Sequence, residues 1–143
     1  MTPIARRAVV VGAGMGGLTA ARALADFFEE VLVLERDSLP SIAVNRAGIP
    51  QGKHIHVLLA GGQSALESLF PGFTGELARG GAVPLRVARD LRSERPGYDP
   101  FPQRDFGWDV YWMSRPLVEH AVRTRVARST TSRSARGVAS TNA

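Results

Sequence analysis

The feature that most constrains the fold of this chain is a glycine-rich segment near its start, residues 12–17 (GAGMGG). It follows a β-branched run at residues 8–11 and precedes residues 18–28, where apolar side chains recur at helical spacing. A β-branched run favours a buried strand, and glycines allow a turn that side chains would obstruct. These residues therefore predict a strand, a tight turn and a helix in direct succession.

A second apolar run at residues 31–35 follows this helix and ends in Glu35. Two buried strands joined by one short helix cannot form a hairpin, because a helical crossover returns the chain parallel to the first strand. The sequence therefore predicts an α/β fold that contains a Rossmann-type βαβ portion.

The glycines fit the G-x-G-x-x-G pattern of dinucleotide-binding folds. Gly12 would allow the turn, Gly14 would let a pyrophosphate approach the backbone, and Gly17 would let the helix pack on the strands. The helix start would present N–H groups to the phosphates. Glu35, 23 residues after Gly12, would bind the adenosine ribose and disfavour NADP. A glycine turn without a nucleotide is the alternative, and the pattern does not choose between NAD and FAD.

The rest of the chain reads as a polar loop followed by short elements of both kinds. The interpretation places a loop at 36–50, an apolar element at 54–59, helices at 64–70 and 74–79, strands at 83–91 and 109–113, and a helix from Ser114 to 126. As domains, we expect a nucleotide-binding portion over residues 1–126 with an excursion at 36–112. Residues 127–143, rich in Arg, Ser and Thr, are expected to be disordered.

Composition narrows the function classes. The chain has 143 residues, which suggests one domain, and no cysteine, which excludes disulfides, thiolate zinc sites and cysteine nucleophiles. Its three histidines lack carboxylates at zinc-ligand spacing, so no metal site is expected. No run approaches the roughly 20 apolar residues of a membrane span, and a cytoplasmic location is expected.

The net charge of +5 (18 basic minus 13 acidic residues) arises only at the end of the chain. Residues 1–122 hold 13 basic and 13 acidic side chains, whereas residues 123–143 hold five arginines and no acid. Nucleic-acid binding is not expected, because these arginines lack interleaved aromatic residues.

Three segments carry a family resemblance. Residues 9–37 (VVVGAGMGGLTAARALA…VLVLERD) resemble the start of flavin-dependent monooxygenases of the para-hydroxybenzoate hydroxylase type. Residues 46–62 (RAGIPQGKHIHVLLAGG) are similar to a block in squalene-epoxidase-like, polyether-epoxidase and tryptophan-halogenase-like relatives. Residues 113–126 (MSRPLVEHAVRTRV) are similar to a helix that contacts the flavin nucleotide through an arginine. The resemblance extends over residues 4–126.

The resemblance implies a set of residues that contact FAD: Gly12, Gly14 and Gly17 at the pyrophosphate, Glu35 at the ribose, Arg46 near the pyrophosphate or flavin, and Arg115 from the start of its helix. Arginine suits such contacts because its planar donor fork binds phosphate at two points. On spacing alone, Arg115 would be interpreted as a surface arginine on an amphipathic helix, and only the resemblance favours a cofactor contact. For Arg46, the alternative is that it makes no cofactor contact. No residue is assigned as catalytic.

The implied function is FAD-dependent monooxygenation, by epoxidation or hydroxylation of a small apolar substrate, with NADPH or NADH as electron donor. The relatives continue into a Gly-Asp motif and a substrate domain, whereas this sequence has no Gly-Asp pair. We therefore expect a truncated N-terminal portion that is incomplete for catalysis. The alternatives are another dinucleotide-dependent oxidoreductase (a flavin saturase or reductase, a halogenase or an NAD dehydrogenase) or a non-enzymatic nucleotide-binding module. The oligomeric state is left open.

Overall fold

The computed structural model describes residues 2–129 of the chain. It contains strands and helices in the order β1 (Ala5–Val11), α1 (Met15–Leu24), β2 (Phe28–Leu34), β3 (Ile55–Leu58), α2 (Ala60–Leu69), α3 (Phe73–Arg79), β4 (Val83–Arg86), β5 (Asp109–Ser114) and α4 (Arg115–Ser129). A 3₁₀ turn at Pro50–Lys53 precedes β3. These elements belong to two compact units. The first contains the residues up to Gly52 and those from Pro116 onward, and the second contains Lys53–Arg115.

The first unit is built on a parallel pair of strands, as the sequence predicts. β1 and β2 align Val9 with Leu32, Val10 with Val33 and Val11 with Leu34. A parallel pair needs a crossover connection, and α1 supplies it. The strand–turn–helix–strand prediction for this part of the chain is confirmed.

The two faces of this parallel sheet differ in burial. On one face Val10, Val31 and Val33 are buried, together with Leu18 and Ala21 of α1. Side chains alternate between faces along a strand, so the neighbours of Val10 point the other way. Val9 is 54% exposed and Val11 82% exposed. The core of the first unit therefore includes the α1 side of the sheet.

The helix α1 is shorter than the sequence predicts. The apolar spacing extended it to Phe28, but α1 ends at Leu24 and Phe28 begins β2. Phe28 pairs with Ala5 of β1, and the N–H of Ile4 donates to the carbonyl of Phe27 at 2.8 Å. Strand pairing thus overrides a helical spacing that was correct only for the first turns.

The second unit contains an antiparallel sheet of strand order β3-β5-β4 and the helices α2 and α3. Large apolar side chains of the two helices form its buried centre: Leu66, Phe70, Phe73 and Leu77. The predicted strand at 83–91 is shorter, ending at Arg86. There the chain turns back, because the N–H of Asp90 donates to the carbonyl of Arg86 at 2.9 Å.

The last helix, α4, has the predicted apolar stripe, with Val118, Val122 and Val126 buried. It runs to Ser129. The rest of the segment predicted to be disordered, residues 130–143, lies outside the described residues.

Candidate functional site

The turn between β1 and α1 depends on the backbone freedom of Gly12. This residue has φ +95°, a region that side chains disfavour. Its N–H donates to the carbonyl of Leu34 at 2.7 Å, so the turn is fastened to the end of β2. The glycine turn and the residue after β2, Glu35, therefore lie at the same edge of the sheet.

The other two glycines of the pattern, Gly14 and Gly17, have different surroundings. A Cβ at Gly17 would lie 1.9 Å from the carbonyl oxygen of Gly12, which is backbone and cannot swing aside. A Cβ at Gly14 would meet only the Cδ1 of Ile49, at 3.9 Å. Gly17 is thus required by packing within the turn, whereas Gly14 leaves the surface of the turn open to a bound group.

The start of α1 is free of side-chain caps. Gly14 is the N-cap residue, no side chain bonds to the first-turn N–H groups, and the first turn contains no acidic residue. The N–H of Leu18 donates to the carbonyl of Gly14 at 2.9 Å. The N–H groups before Leu18 and the positive end of the helix dipole are therefore suited to an anion.

The carboxylate of Glu35 lies directly against this turn. One oxygen, Oε2, accepts the N–H of Ala13 at 2.7 Å, and the other, Oε1, accepts the N–H of Asp37 at 3.0 Å. Burial alone would raise the pKa of Glu35, but the N–H groups of Asp37 and Ala13 and the charge of Arg46 outweigh it and hold the pKa below its ordinary value. Glu35 is therefore an ionised acceptor beside the glycine turn.

Arg46 lies at the centre of a buried ionic cluster. Its side chain is 8% exposed, and its Nε donates to Oε1 of Glu119 at 2.8 Å. Its Nη2 donates to the carbonyl of Ala13 at 3.0 Å. Its Nη1 lies 3.5 Å from Oε2 of Glu35 and 3.6 Å from Oδ2 of Asp37. Every nitrogen of the guanidinium thus has a partner within the first unit.

A second arginine supports the far side of this cluster. Arg123 of α4 has its Nη1 3.8 Å from Oε1 of Glu119, and its Nη2 donates to the carbonyl of Pro40 at 2.5 Å. Burial lowers the pKa of Arg123, although the charge of Glu119 opposes that effect. Glu119 therefore forms ion pairs with two cations, which compensates for its position in the protein interior.

Five of the six residues implied by the resemblance come together in the first unit: Gly12, Gly14, Gly17, Glu35 and Arg46. Arg115 is the first residue of α4 and belongs to the second unit. The sequence interpretation missed Asp37 and Glu119. Asp37 could have been found, since it lies two residues beyond Glu35, but Glu119 is 73 residues from Arg46 and no local pattern connects them.

The histidines and the aromatic residues outside this site give no comparable cluster. Within residues 2–129, no three His, Asp or Glu side chains are grouped to hold a metal ion. Nδ1 of His56 lies 2.8 Å from the carbonyl of His54. Four aromatic side chains between residues 98 and 108 are exposed: Tyr98, Phe101, Phe106 and Trp108.

Comparison with protein families places residues 10–65 in a known domain type, because they match the model of the NAD(P)-binding Rossmann-like domain. The matched residues begin in β1 and include the glycine turn, Glu35 and Arg46.

Residues 10–65 of this chain are thus similar to a Rossmann-like dinucleotide-binding domain.

The relatives of the Rossmann-like domain found among curated proteins are much longer than this chain. Protein Rv3254 of Mycobacterium tuberculosis is 39% identical over 124 residues, which cover 83% of this chain and 26% of that protein. Lysine-specific histone demethylase 1 homolog 2 of Arabidopsis thaliana is 39% identical over 84 residues, covering 57% of this chain and 11% of its own length. The chain thus spans about a quarter or less of these relatives.

Solved structures show the same fold. A crystal structure of 2-methyl-3-hydroxypyridine-5-carboxylic acid oxygenase aligns with a TM-score of 0.61 and 24% identity, covering 90% of this chain and 30% of the oxygenase chain. The tetrameric form of that oxygenase aligns with a TM-score of 0.55. The α/β fold class with a Rossmann-like domain is therefore confirmed. Among the described residues, no helix combines the length and apolar composition needed to cross a bilayer.

Proposed function

We propose that this chain binds FAD, with the ADP half of the cofactor held by the glycine turn, the start of α1 and Glu35. The observation that carries the proposal is the contact between Glu35 and the turn, where Oε2 accepts the N–H of Ala13 at 2.7 Å. It sets an ionised carboxylate beside an uncapped helix start. A diphosphate at a helix start and the ribose beside it need these two groups at the same edge of the sheet.

The residues present fit an adenosine diphosphate group. Gly14 has no Cβ, and the space where one would lie contains only Cδ1 of Ile49 at 3.9 Å, which leaves room for phosphate oxygens. Gly16 would meet nothing within 4 Å. Each oxygen of Glu35 accepts a hydrogen bond from one backbone N–H group, Oε2 from Ala13 and Oε1 from Asp37, and a carboxylate oxygen can accept two. Glu35 therefore keeps acceptor capacity for ribose hydroxyls.

The proposed roles follow from this arrangement. Gly12, Gly14 and Gly17 shape the turn for the pyrophosphate, and Glu35 accepts hydrogen bonds from the ribose. Arg115 is proposed to contact FAD from the start of α4, which rests on the resemblance of its segment. A carboxylate at the ribose repels a 2′-phosphate, so FAD and NAD suit the site better than NADP does.

The proposed activity is that of a flavin-dependent monooxygenase portion acting on a small apolar substrate. Bound FAD would supply the redox chemistry, with NADH or NADPH as the electron donor. The residues of this chain bind and orient the cofactor, and none of them is proposed as an acid, base or nucleophile. The fold match to an oxygenase supports this class of reaction.

The direct test is to purify the 143-residue chain and titrate it with FAD by calorimetry, with Glu35→Gln as the matched variant. We expect saturable binding with flavin absorbance near 450 nm retained on the protein, and weaker binding by the variant. FAD binding that is absent from the wild-type chain would overturn the proposal.

A second candidate is an NAD-dependent oxidoreductase, favoured by the family whose model matches residues 10–65, which is described as NAD(P)-binding. The same titration with NADH distinguishes the two. Tight NADH binding without FAD binding would replace the flavin proposal with this one, and binding of either nucleotide with no turnover would fit a non-enzymatic binding module.

A further inference from the structure

Each of the three guanidinium nitrogens of Arg46 faces protein atoms in this structure. Its Nε bonds to Glu119, its Nη2 to the carbonyl of Ala13, and its Nη1 faces Glu35 and Asp37 at 3.5 and 3.6 Å. The side chain is 8% exposed. An arginine that grips a phosphate presents two parallel N–H groups to it, and here both sides of the fork are turned to protein atoms.

We propose that Arg46 is a positioning residue that fixes the Glu35 carboxylate for recognition of the adenosine ribose hydroxyls, rather than a phosphate contact. This inference rests on the proposed function, since it assigns a role within the same nucleotide site. It names the ribose diol as the group whose recognition depends on Arg46.

The geometry around Ala13 carries the proposal. The N–H of Ala13 donates to Glu35 at 2.7 Å, and its carbonyl accepts from Arg46 at 3.0 Å, so both polar groups of this residue are held by the same ion pair. Ala13 is fully buried between Gly12 and Gly14. Arg46 therefore fixes the glycine turn and the carboxylate beside it with one side chain.

Glu119 anchors Arg46 from the opposite side. It is 4% exposed and accepts from Nε of Arg46 at 2.8 Å, while Nη1 of Arg123 lies 3.8 Å away. Without Arg46, Glu35, Asp37 and Glu119 would be left with less cationic compensation in the interior. Like charges would then push Glu35 away from its place at the turn.

The experiment compares two probes on the 143-residue chain by titration calorimetry: ADP, and 2′,3′-dideoxy-ADP, which keeps the phosphates and lacks both hydroxyls. A hydrogen bond to a charged acceptor supports a preference of about tenfold or more for ADP in the wild-type chain. The ratio of the two dissociation constants reports hydroxyl recognition and is insensitive to phosphate binding.

Glu35→Gln and Arg46→Met should both reduce this ratio to within about threefold, and combining them should reduce it no further, because both act on one contact. The matched control is Arg7→Met, which removes another Arg–Glu pair of the βαβ unit, between Arg7 and Glu30 at 2.7 Å. The control should keep the wild-type ratio. Thermal unfolding of each variant checks that the binding measurements concern folded protein.

The outcomes separate the inference from the proposed function. If Arg46→Met weakens both probes equally and keeps the ratio, Arg46 acts on phosphate or on the fold alone, and the inference is wrong while the function stands. If the wild-type chain binds neither ADP nor FAD, the proposed function fails and the inference with it. If Arg46→Met does not fold, Arg46→Gln replaces it, and a wild-type ratio in Arg46→Gln would equally overturn the inference, because glutamine has neither the positive charge nor the forked donors of arginine.

Discussion

Two helices of this chain begin directly after a glycine, and their first turns are completed in opposite ways. At α3, after Gly72, the carboxylate of Glu67 accepts the N–H of Gly72, and its Oε2 accepts the N–H of Thr74 at 3.0 Å and the hydroxyl of Thr74 at 3.1 Å. At α1, after Gly14, no side chain caps the first turn. The first-turn N–H groups of α3 thus meet a carboxylate of the chain itself, whereas those of α1 meet no side-chain acceptor.

The absence of a side-chain cap at a helix start is not by itself diagnostic of a binding site. The helix α2 begins after Leu59 without a side-chain cap and without an acid in its first turn. An uncapped start therefore does not by itself mark a site. What sets α1 apart is the turn before it, where Gly12 has φ +95° and Gly17 packs against the carbonyl of Gly12.

The largest expected effect is that of Gly17→Ala. The added Cβ would lie 1.9 Å from the carbonyl oxygen of Gly12. Gly12 cannot shift easily, because its own N–H donates to the carbonyl of Leu34, so the turn must open. We expect a loss of about 3 kcal/mol in the free energy of unfolding, measured by urea denaturation. Nucleotide binding measured by calorimetry should also be lost.

Gly16→Ala is the matched control for this change, because it places the same methyl group one residue earlier, where nothing lies within 4 Å. Helix propensity predicts no loss, and a gain of up to about 1 kcal/mol. Equal destabilisation by both changes would contradict the close approach at Gly17.

The second largest effect is expected for Gly14→Asp, which would give the start of α1 a carboxylate cap like that of α3. Gly14 has φ −77° and ψ 178°, which aspartate adopts without strain, and its Cβ has room. As an N-cap, Gly14→Asp should change stability by a few tenths of a kcal/mol at most, in the favourable direction. It should weaken ADP binding by about a hundredfold, since a carboxylate would then occupy the end of the helix that we propose binds the phosphates.

Gly14→Asn separates charge from shape in this test, since it has almost the same size and caps equally well. It should weaken binding less than Gly14→Asp does, and the gap should narrow at high salt. ADP affinity left intact by Gly14→Asp would mean that the phosphates are not held at this helix start.

The sequence was most informative where a motif is local. The strand, turn and helix at the N-terminus are encoded by β-branched residues, glycines and helical spacing within residues 8–24, and the spacing from Gly12 to Glu35 correctly anticipates that the acid lies at the turn. The end of α1 was misread, because Phe28 continues the helical spacing while its backbone pairs with Ala5. The pairing of β2 with β1 determines where α1 ends, and the periodicity of apolar residues carries no information about that pairing.

The ionic cluster shows a second limit of the sequence. Arg46 was identified by resemblance, but its partners could not be predicted from the sequence, because Arg46 is in a loop and Glu119 lies 73 residues away, on helix α4. The sequence pattern also does not predict that Glu67 caps α3, because its carboxylate reaches across the turn at Pro71 and Gly72. Both contacts depend on how the chain folds back, which only tertiary structure specifies.

At the capped helix start, Glu67→Gln should cost about 1 kcal/mol of stability at pH 7 and leave ADP affinity unchanged. The N–H groups of Thr74 and Gly72 hold the pKa of Glu67 below its ordinary value of 4.5. The folded state therefore binds the proton less readily than the unfolded state, so the contribution is present above about pH 4.5 and is lost as the pH falls through the folded pKa. Urea denaturation at pH 7 and at successively lower pH should show the difference between wild type and variant shrinking. A difference that grows towards acid pH would reverse the sign of this linkage.

The smallest effect tests how the cap of α3 is divided between its two contacts with Thr74. Thr74→Val removes the hydroxyl that bonds to Glu67 at 3.1 Å and keeps the N–H that bonds to the same oxygen at 3.0 Å. We expect a loss of about 0.5 kcal/mol in the free energy of unfolding, at the lower end of the range for one hydrogen bond. In the Glu67→Gln background the same change should cost less, because the charged acceptor is already gone. Full additivity of the two losses would mean that the hydroxyl stabilises α3 independently of Glu67, and the contrast between the two helix starts would then rest on the backbone N–H groups alone.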